Sequence, residues 1–275
     1  MPLTKLQSSV LRLLAAQRSP DSYIAGGIAL NREGPRFSSD IDIFQDSEER
    51  LETAADADAA ILQKAGLKLT WLKRRTGKRN AQVEGLGDTM QLEWVADSDF
   101  RFFPAQSDDL FGYVLHPVDL ATNKVSAAAD RREPRDIVDL VTIHENILPL
   151  GAVICAAVGR FPGQTPEELL AEITRHSRFT AEEFRVLAME RPIDVPQLHR
   201  RIRSMLESAE AFIHLIPSEA VGFVFLDDDR PVQPDLDHLE KYRRNPGARR
   251  GLWPSSPEIS KAMLEHYGNR GKEES

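Results

Sequence analysis

The chain has 275 residues, of which 41% are hydrophobic and 28% charged, with a formal net charge of −8 and one cysteine. That length leaves room for one large domain or two moderate ones around a real apolar core. The lone thiol excludes an internal disulfide framework, and the acidic balance excludes a protein that coats polyanions with its whole surface.

No apolar run approaches the ~20 residues that cross a bilayer, and Met1-Pro2-Leu3-Thr4-Lys5 lacks a signal-peptide core. A cytoplasmic protein with no membrane partner is expected. Cys155 lies in the apolar run Ala152–Val158 and reads as a buried, inert thiol.

Leu6, Val10, Leu11, Leu13 and Leu14 recur at helical spacing over 6–17. Tyr23-Ile24-Ala25 leads into Gly26-Gly27, and Ile28-Ala29-Leu30 continues as a short helix that Pro35 ends. Residues 40–44 form the first strong strand. A helix over 48–65 ends at Gly66, a strand covers 67–72, and turn residues at 85–88 precede a strand at 89–95. Pro117 and Pro134 each suit the first position of a helix. From Gly151 onward the pattern is mainly helical, with helices expected over 167–173, 182–189 and 198–216. Val221–Leu226 reads as a buried strand, Asp227-Asp228-Asp229 as a charged turn, and 269–275 as a disordered tail.

The chemistry concentrates around Arg36-Phe37-Ser38-Ser39-Asp40-Ile41-Asp42-Ile43-Phe44. A strand alternates its side chains, so Ile41 and Ile43 enter a core while Asp40 and Asp42 share the other face. Two like charges so placed repel, and a divalent cation relieves them. Mg²⁺ takes one or two protein carboxylates and completes its shell with water and phosphate. Gly26-Gly27 offers bare backbone N–H groups to a triphosphate. Alternation in Thr89–Val95 sets Met90, Leu92 and Trp94 on one face and Glu93 on the other, a third carboxylate for a two-metal site.

Lys124 and Arg131 lie seven apart, two turns along one helical face, and Arg135 and Asp136 sit in the first turn of the next helix. Brought to the cleft, the cations would hold triphosphate oxygens. The competing expectation is a solvated helix with local ion pairs such as Asp136 with Arg132. Two basic clusters, Lys73-Arg74-Arg75 with Lys78-Arg79 and Lys241-Arg243-Arg244 with Arg249-Arg250, are candidate RNA-tracking patches or plain surface charge.

Gly26-Gly27 through Arg36-x-Ser38-x-Asp40-x-Asp42, with Lys124-x-x-Ala127-Ala128-x-x-Arg131-x-x-x-Arg135-Asp136-x-x-Asp139, resembles the nucleotidyltransferase superfamily, and within it the AbiEii-like toxins of type IV toxin–antitoxin systems. The resemblance covers about the first half of the chain. It implies an α+β fold: an N-terminal mixed sheet with flanking helices (1–115), a mainly helical region completing the cleft (116–268), then the tail. It also implies a Mg²⁺-dependent enzyme that moves an NMP group from an NTP to RNA or protein, with RNA such as a tRNA 3′ end the favoured acceptor and a cognate antitoxin as partner.

In that reading Asp40, Asp42 and Glu93 hold two Mg²⁺ ions and carry the catalysis. Gly26, Gly27, Arg36 and Ser38 line the nucleotide, Lys124 and Arg131 neutralise the leaving pyrophosphate, and Asp136 orients Arg131 or Arg135. The alternatives are a small-molecule, aminoglycoside-type nucleotidyltransferase and an idle nucleotidyltransferase fold serving as an interaction module.

Overall fold

Helix α1 (Lys5–Leu14) opens with a reciprocal Thr4–Gln7 capping box and tightens into a 3-10 turn at Ala15–Gln17. Its apolar stripe, Leu6, Val10, Leu11 and Leu14, is buried. The computed structural model describes residues 3–98, 100–161 and 163–248. The expected tail at 269–275 and the arginines 249 and 250 lie outside those residues.

Strands β1 (Ser22–Ala25), β2 (Asp40–Gln45), β3 (Lys68–Arg75), β4 (Lys78–Gly85), β5 (Asp88–Ala96), β6 (Gln106–Asp108) and β7 (Gly112–Val114) make one sheet in the order β3-β4-β5-β2-β1-β7-β6. Strand β2 pairs antiparallel with β1 and parallel with β5, so the sheet is mixed. Helix α3 (Glu48–Lys64) makes the crossover from β2 and packs with α1 on one face, over Ile41, Ile43, Leu92 and Trp94. Two devices fix that layer. Arg18 donates to both Asp58 oxygens at 2.6 Å, and the Trp94 indole donates to Asp58 Oδ2 at 2.8 Å. The other face receives α2 (Gly26–Leu30) and α4 (Pro117–Asp130).

Behind α4 come α5 (Pro134–Asn146), α6 (Leu150–Arg160), α7 (Pro166–His176), α8 (Ala181–Arg185) and α9 (Val195–Leu215). A small sheet follows, of β8 (Val224–Asp227), β9 (Arg230–Val232) and β10 (Arg243–Asn245). One continuous cluster of buried apolar side chains runs from Leu6 to Ile213 through sheet and helices alike. Cys155 is buried in it, and desolvation pushes its thiol up to about 12. No single helix among the described residues is long and apolar enough to cross a membrane.

Four expectations change. Strand β4 was not anticipated: it opens on Lys78-Arg79-Asn80, and its apolar signal is confined to Ala81 and Val83. The short β6 and β7 were likewise not foreseen. The helix expected over 182–189 stops at Arg185. Beyond it the backbone bonds the loop before β2 instead, with Phe37 N–H donating to Ala188 O at 2.9 Å and Glu190 N–H to Pro35 O at 2.8 Å. Arg131 does not continue the face of α4, since it stands just past the helix in extended backbone, φ −141°.

Candidate active site

Parallel register sets Asp42 directly opposite Glu93, with Asp40 opposite Gln91. Ile41 and Ile43 have no exposed surface, so alternation sends Asp40, Asp42 and Phe44 to the α2/α4 face. The three carboxylates differ in what holds them. Asp40 has Arg135 at 3.8 Å. Glu93 is held by Lys78 Nζ at 2.7 Å and accepts from Asn80 Nδ2 at 2.6 Å. Among the described residues Asp42 has no hydrogen-bond donor and no ion-pair partner. Burial, then Glu93 and then Asp40 push its carboxyl up to about 6, against the pull of Lys124 and Lys78.

Gly26 explains how Asp42 fits. It sits at φ +68°, a left-handed backbone that favours glycine, and a Cβ built there would overlap Asp42 Oδ2. Gly26→Ala is therefore expected to cost about 1–2 kcal/mol for the backbone alone, plus the displacement of Asp42, read as a lower urea midpoint. At Gly27 a Cβ would come within 2.7 Å of Arg36 Nη2 and 2.9 Å of Ser38 Oγ. Gln7 of α1 fixes the approach from outside, donating from Nε2 to Ser38 O at 2.6 Å.

The cations are organised by two buried aspartates of α5. Asp139 accepts from Arg36 Nε at 2.8 Å and Nη2 at 2.9 Å, and from Asn31 Nδ2 at 2.9 Å, and pairs with Lys124 Nζ at 2.9 Å. Asp136 takes Lys124 Nζ at 2.8 Å and Arg131 Nε at 2.8 Å. Burial opposes ionisation of both. For Asp136 the Arg131 and Lys124 partners outweigh it, and for Asp139 the Lys124 and Arg36 partners do, so both pKa values lie below the ordinary range. Arg132, the alternative partner for Asp136, bonds Glu183 instead at 2.7 Å.

The expected site residues thus meet around one cavity of about 330 Å³ that Gly26, Gly27, Arg36, Ser38, Asp40, Asp42, Glu93, Lys124, Arg131 and Arg135 all line. Asp136 stands behind it. Phe44, Lys78 and Asn123 also line it, none of them singled out in the sequence for this site, as does Ala127 of the second motif. Asp139 was part of the motif without a role; its i, i+3 spacing from Asp136 was the available signal. Asp40, Asp42, Glu93, Asp136 and Asp139 are matched one for one by Arg36, Lys78, Lys124, Arg131 and Arg135. The cleft is electrically balanced before any ligand enters.

A family model described as nucleotidyl transferase AbiEii toxin, type IV TA system, matches residues 12–215. The chain belongs to that family. The matched span contains every residue of the cleft, and as an AbiEii-type toxin the chain is a nucleotidyltransferase. A solved structure described as a "putative nucleotidyltransferase" from H. pylori is 15% identical, with a TM-score of 0.46, over 76% of this chain and 94% of that one. The family match, not that loose likeness, carries the assignment. No curated protein matches the chain at a significant level.

The family implies divalent metal, and the donor chemistry suits it. Asp40, Asp42 and Glu93 are hard oxygen donors, and Asp42 is a half-buried carboxylate that no donor in the described structure serves. As the side chains lie, no group of three His, Cys, Asp or Glu residues among the described ones forms a ready metal cluster. Lys78 and Asn80 instead engage Glu93.

The basic clusters are less free than the sequence suggests. Arg74 lies over the Trp71 ring at 4.3 Å and pairs with Asp56, Arg79 pairs with Glu52, and Lys78 with Glu93. In the second cluster Arg243 pairs with Asp229, and Arg244 lies over Phe223. Lys73 and Arg75 keep no ion-pair partner among the described residues.

Proposed function

We propose that this AbiEii-type enzyme transfers an NMP group from Mg²⁺·NTP to an RNA hydroxyl, a tRNA 3′ end being the favoured acceptor. The observation that carries the reading is the unserved Asp42 carboxylate between Asp40 and Glu93 in a balanced cleft. A polyanionic triphosphate entering such a cleft has to bring its own cations, and carboxylates without donors are where those cations go. Two Mg²⁺ ions held by Asp40 and Asp42, with Glu93 joining once Lys78 releases it, would supply charge neutralisation at the attacking and leaving oxygens.

The remaining roles fall to this chain's own groups. Gly26, Gly27 and Ser38 line the part of the cavity that takes the phosphates, while Arg36, committed to Asp139, stiffens the loop that carries Ser38. Lys124 and Arg131, oriented by Asp136 and Asp139, stabilise charge on the triphosphate. Arg135, 3.8 Å from Asp40, holds that carboxylate toward the cleft. The acceptor oxygen bonds to the α-phosphorus as the bond to the β-phosphate oxygen breaks. Pyrophosphate leaves, and the hydroxyl proton passes to Glu93 or to solvent. The sheet up to residue 115 acts as the catalytic core, and the helices from 116 close the cleft. An RNA acceptor, a cognate antitoxin and a single buried thiol fit a cytoplasmic toxin.

Arg131 is the cleanest probe of the phosphate path, because its side chain is 47% exposed. Arg131→Gln is expected to weaken NTP binding by about 1.5–3 kcal/mol, the value of one charge-assisted contact, and NMP binding far less. Calorimetry with both nucleotides checks it; equal losses would move Arg131 off the β- and γ-phosphates.

For the acceptor, RNA binding should weaken steeply with rising salt through counterion release. Since most of the first cluster is internally paired, Lys73→Gln with Arg75→Gln should flatten that slope and lower RNA labelling while NTP binding persists. A slope unchanged by this pair would remove the β3–β4 hairpin from the RNA path. A second reading, a cationic small-molecule acceptor, draws on the carboxylates Asp130, Glu168 and Glu172 beside the cleft.

A further inference from the structure

The cleft does not end at the carboxylates. A second chamber of about 770 Å³ opens beside it and shares Phe44, Asn123, Ala127 and Arg131 with it. Phe44 lies two residues beyond Asp42 on the same face of β2, so the strand leads from the carboxylates into this lobe. Phe161, just past the end of α6, lines the lobe as a second aromatic wall. Asn123 projects from α4 one residue before Lys124, and its Oδ1 is buried with no hydrogen-bond partner among the described residues. As it lies that atom has essentially no exposed surface, so a base reaches it once the Asn123 amide turns toward the lobe. An orphaned acceptor costs free energy in the empty protein, which favours a ligand that draws it out and donates to it.

We infer that this lobe holds the nucleobase of the NTP and that Asn123 is the residue that reads it. The inference rests on the nucleotidyl-transfer reading and adds the position of the base and the source of selectivity. The phosphates lie toward Gly26, Gly27 and Ser38, the α-phosphorus stands at Asp40 and Asp42, and the base points past Phe44. An amide presents one donor and one acceptor side by side, as do the hydrogen-bonding edges of the bases, and an aromatic wall stacks on any base face.

The charge of the lobe argues for a neutral base and against the acceptor's backbone. Asp97, Asp130, Glu168 and Glu172 line it against Arg131 and Arg160. Arg160 is already bonded to Asp97, and Arg131 to Asp136. A phosphodiester chain would meet net negative charge there. The opposite mouth, where Phe37, Met90, Arg135 and Leu187 line a separate cavity of about 450 Å³, is left to the acceptor.

Calorimetry of the full chain with each of the four Mg²⁺·NTPs, and with Mg²⁺·tripolyphosphate as the base-free probe, tests this. The wild-type protein should rank the four NTPs. Asn123→Leu, and the smaller Asn123→Ser, should compress that ranking about five- to tenfold, the value of one neutral hydrogen bond. Tripolyphosphate affinity should stay within twofold, which also reports that the variants fold. Phe161→Leu should weaken all four NTPs relative to tripolyphosphate.

A ranking that survives both Asn123 variants overturns the assignment. So does unchanged NTP binding with loss of label on RNA or on a cationic amine, which would give the lobe to the acceptor. A wild-type protein that binds neither NTP nor tripolyphosphate overturns the nucleotide site itself, a different failure.

Discussion

Asp42→Asn is expected to stabilise the unliganded protein at pH 7 while abolishing its stabilisation by Mg²⁺·NTP. The carboxyl is pushed up to about 6 by burial, Glu93 and Asp40, against the pull of Lys124 and Lys78. Its folded pKa therefore exceeds its unfolded one. The stability contributed by the protonated group is fully present below about pH 4 and is lost as pH rises through about 6. At pH 7 the native state carries that penalty, on the order of 1–3 kcal/mol, and the amide removes it. Thermal melts from pH 4 to 8 should show a higher melting point for the variant at neutral pH and convergence with the wild type at the acid end. Adding Mg²⁺·ATP, CTP, GTP or UTP should shift the wild type only. A variant destabilised at pH 7 would contradict the repulsion argument, and one that still responded to Mg²⁺·NTP would remove Asp42 from the ligand set.

The largest loss of stability is expected from Asp139→Leu. Asp139 is fully buried and serves Arg36, Asn31 and Lys124 at once. Removing it leaves the Arg36 guanidinium buried with, among the described residues, only the Phe37 carbonyl at 3.0 Å to accept from it. Breaking one side of a buried ion pair costs about 3–5 kcal/mol. Replacing both partners by apolar groups costs less, so Arg36→Met combined with Asp139→Leu should recover much of the loss. Urea unfolding of the two single variants and the double variant gives the coupling directly. Additive losses would mean that the two side chains do not act as a pair. The loop 31–39 should loosen with the pair, because Arg36 ties it to α5 while Ser38 sits at its end.

The sequence made the working face of the sheet legible because a strand's period of two leaves little freedom. Ile41 and Ile43 had to be buried, so Asp40 and Asp42 had to share the cleft face, and the same rule put Glu93 with them. Helices α7 and α8 begin with reciprocal capping boxes, Thr165 with Glu168 and Thr180 with Glu183, a pattern that is local in sequence.

What could not be read depended on partners distant in sequence. Lys78 looked like one cation among several on a surface, and only the β4–β5 register brings it to Glu93. Arg36 looked like a nucleotide contact, and only the packing of α5 gives it Asp139 across 103 positions. Strand β4 was hidden because its solvent face is charged and polar, which suits an antiparallel strand covered on one side. Helix α8 was overestimated because its pattern continues past Arg185, while the backbone of 188–190 finds better partners in the loop at 35–37. Gly26 and Gly27 were read as a phosphate seat, and the close approach of Asp42, Arg36 and Ser38 supplies an independent need for both.

The most direct test of nucleotidyl transfer at the Asp40/Asp42 pair is incubation of the protein with α-labelled NTPs, Mg²⁺ and total RNA, scored for label in RNA and for released pyrophosphate. The predicted result is label in RNA with an equal yield of pyrophosphate, lost on chelating the metal and absent in the Asp40→Asn/Asp42→Asn double variant. Transfer that persists in the double variant, or RNA that stays unlabelled while the wild type demonstrably binds Mg²⁺·NTP, would contradict it.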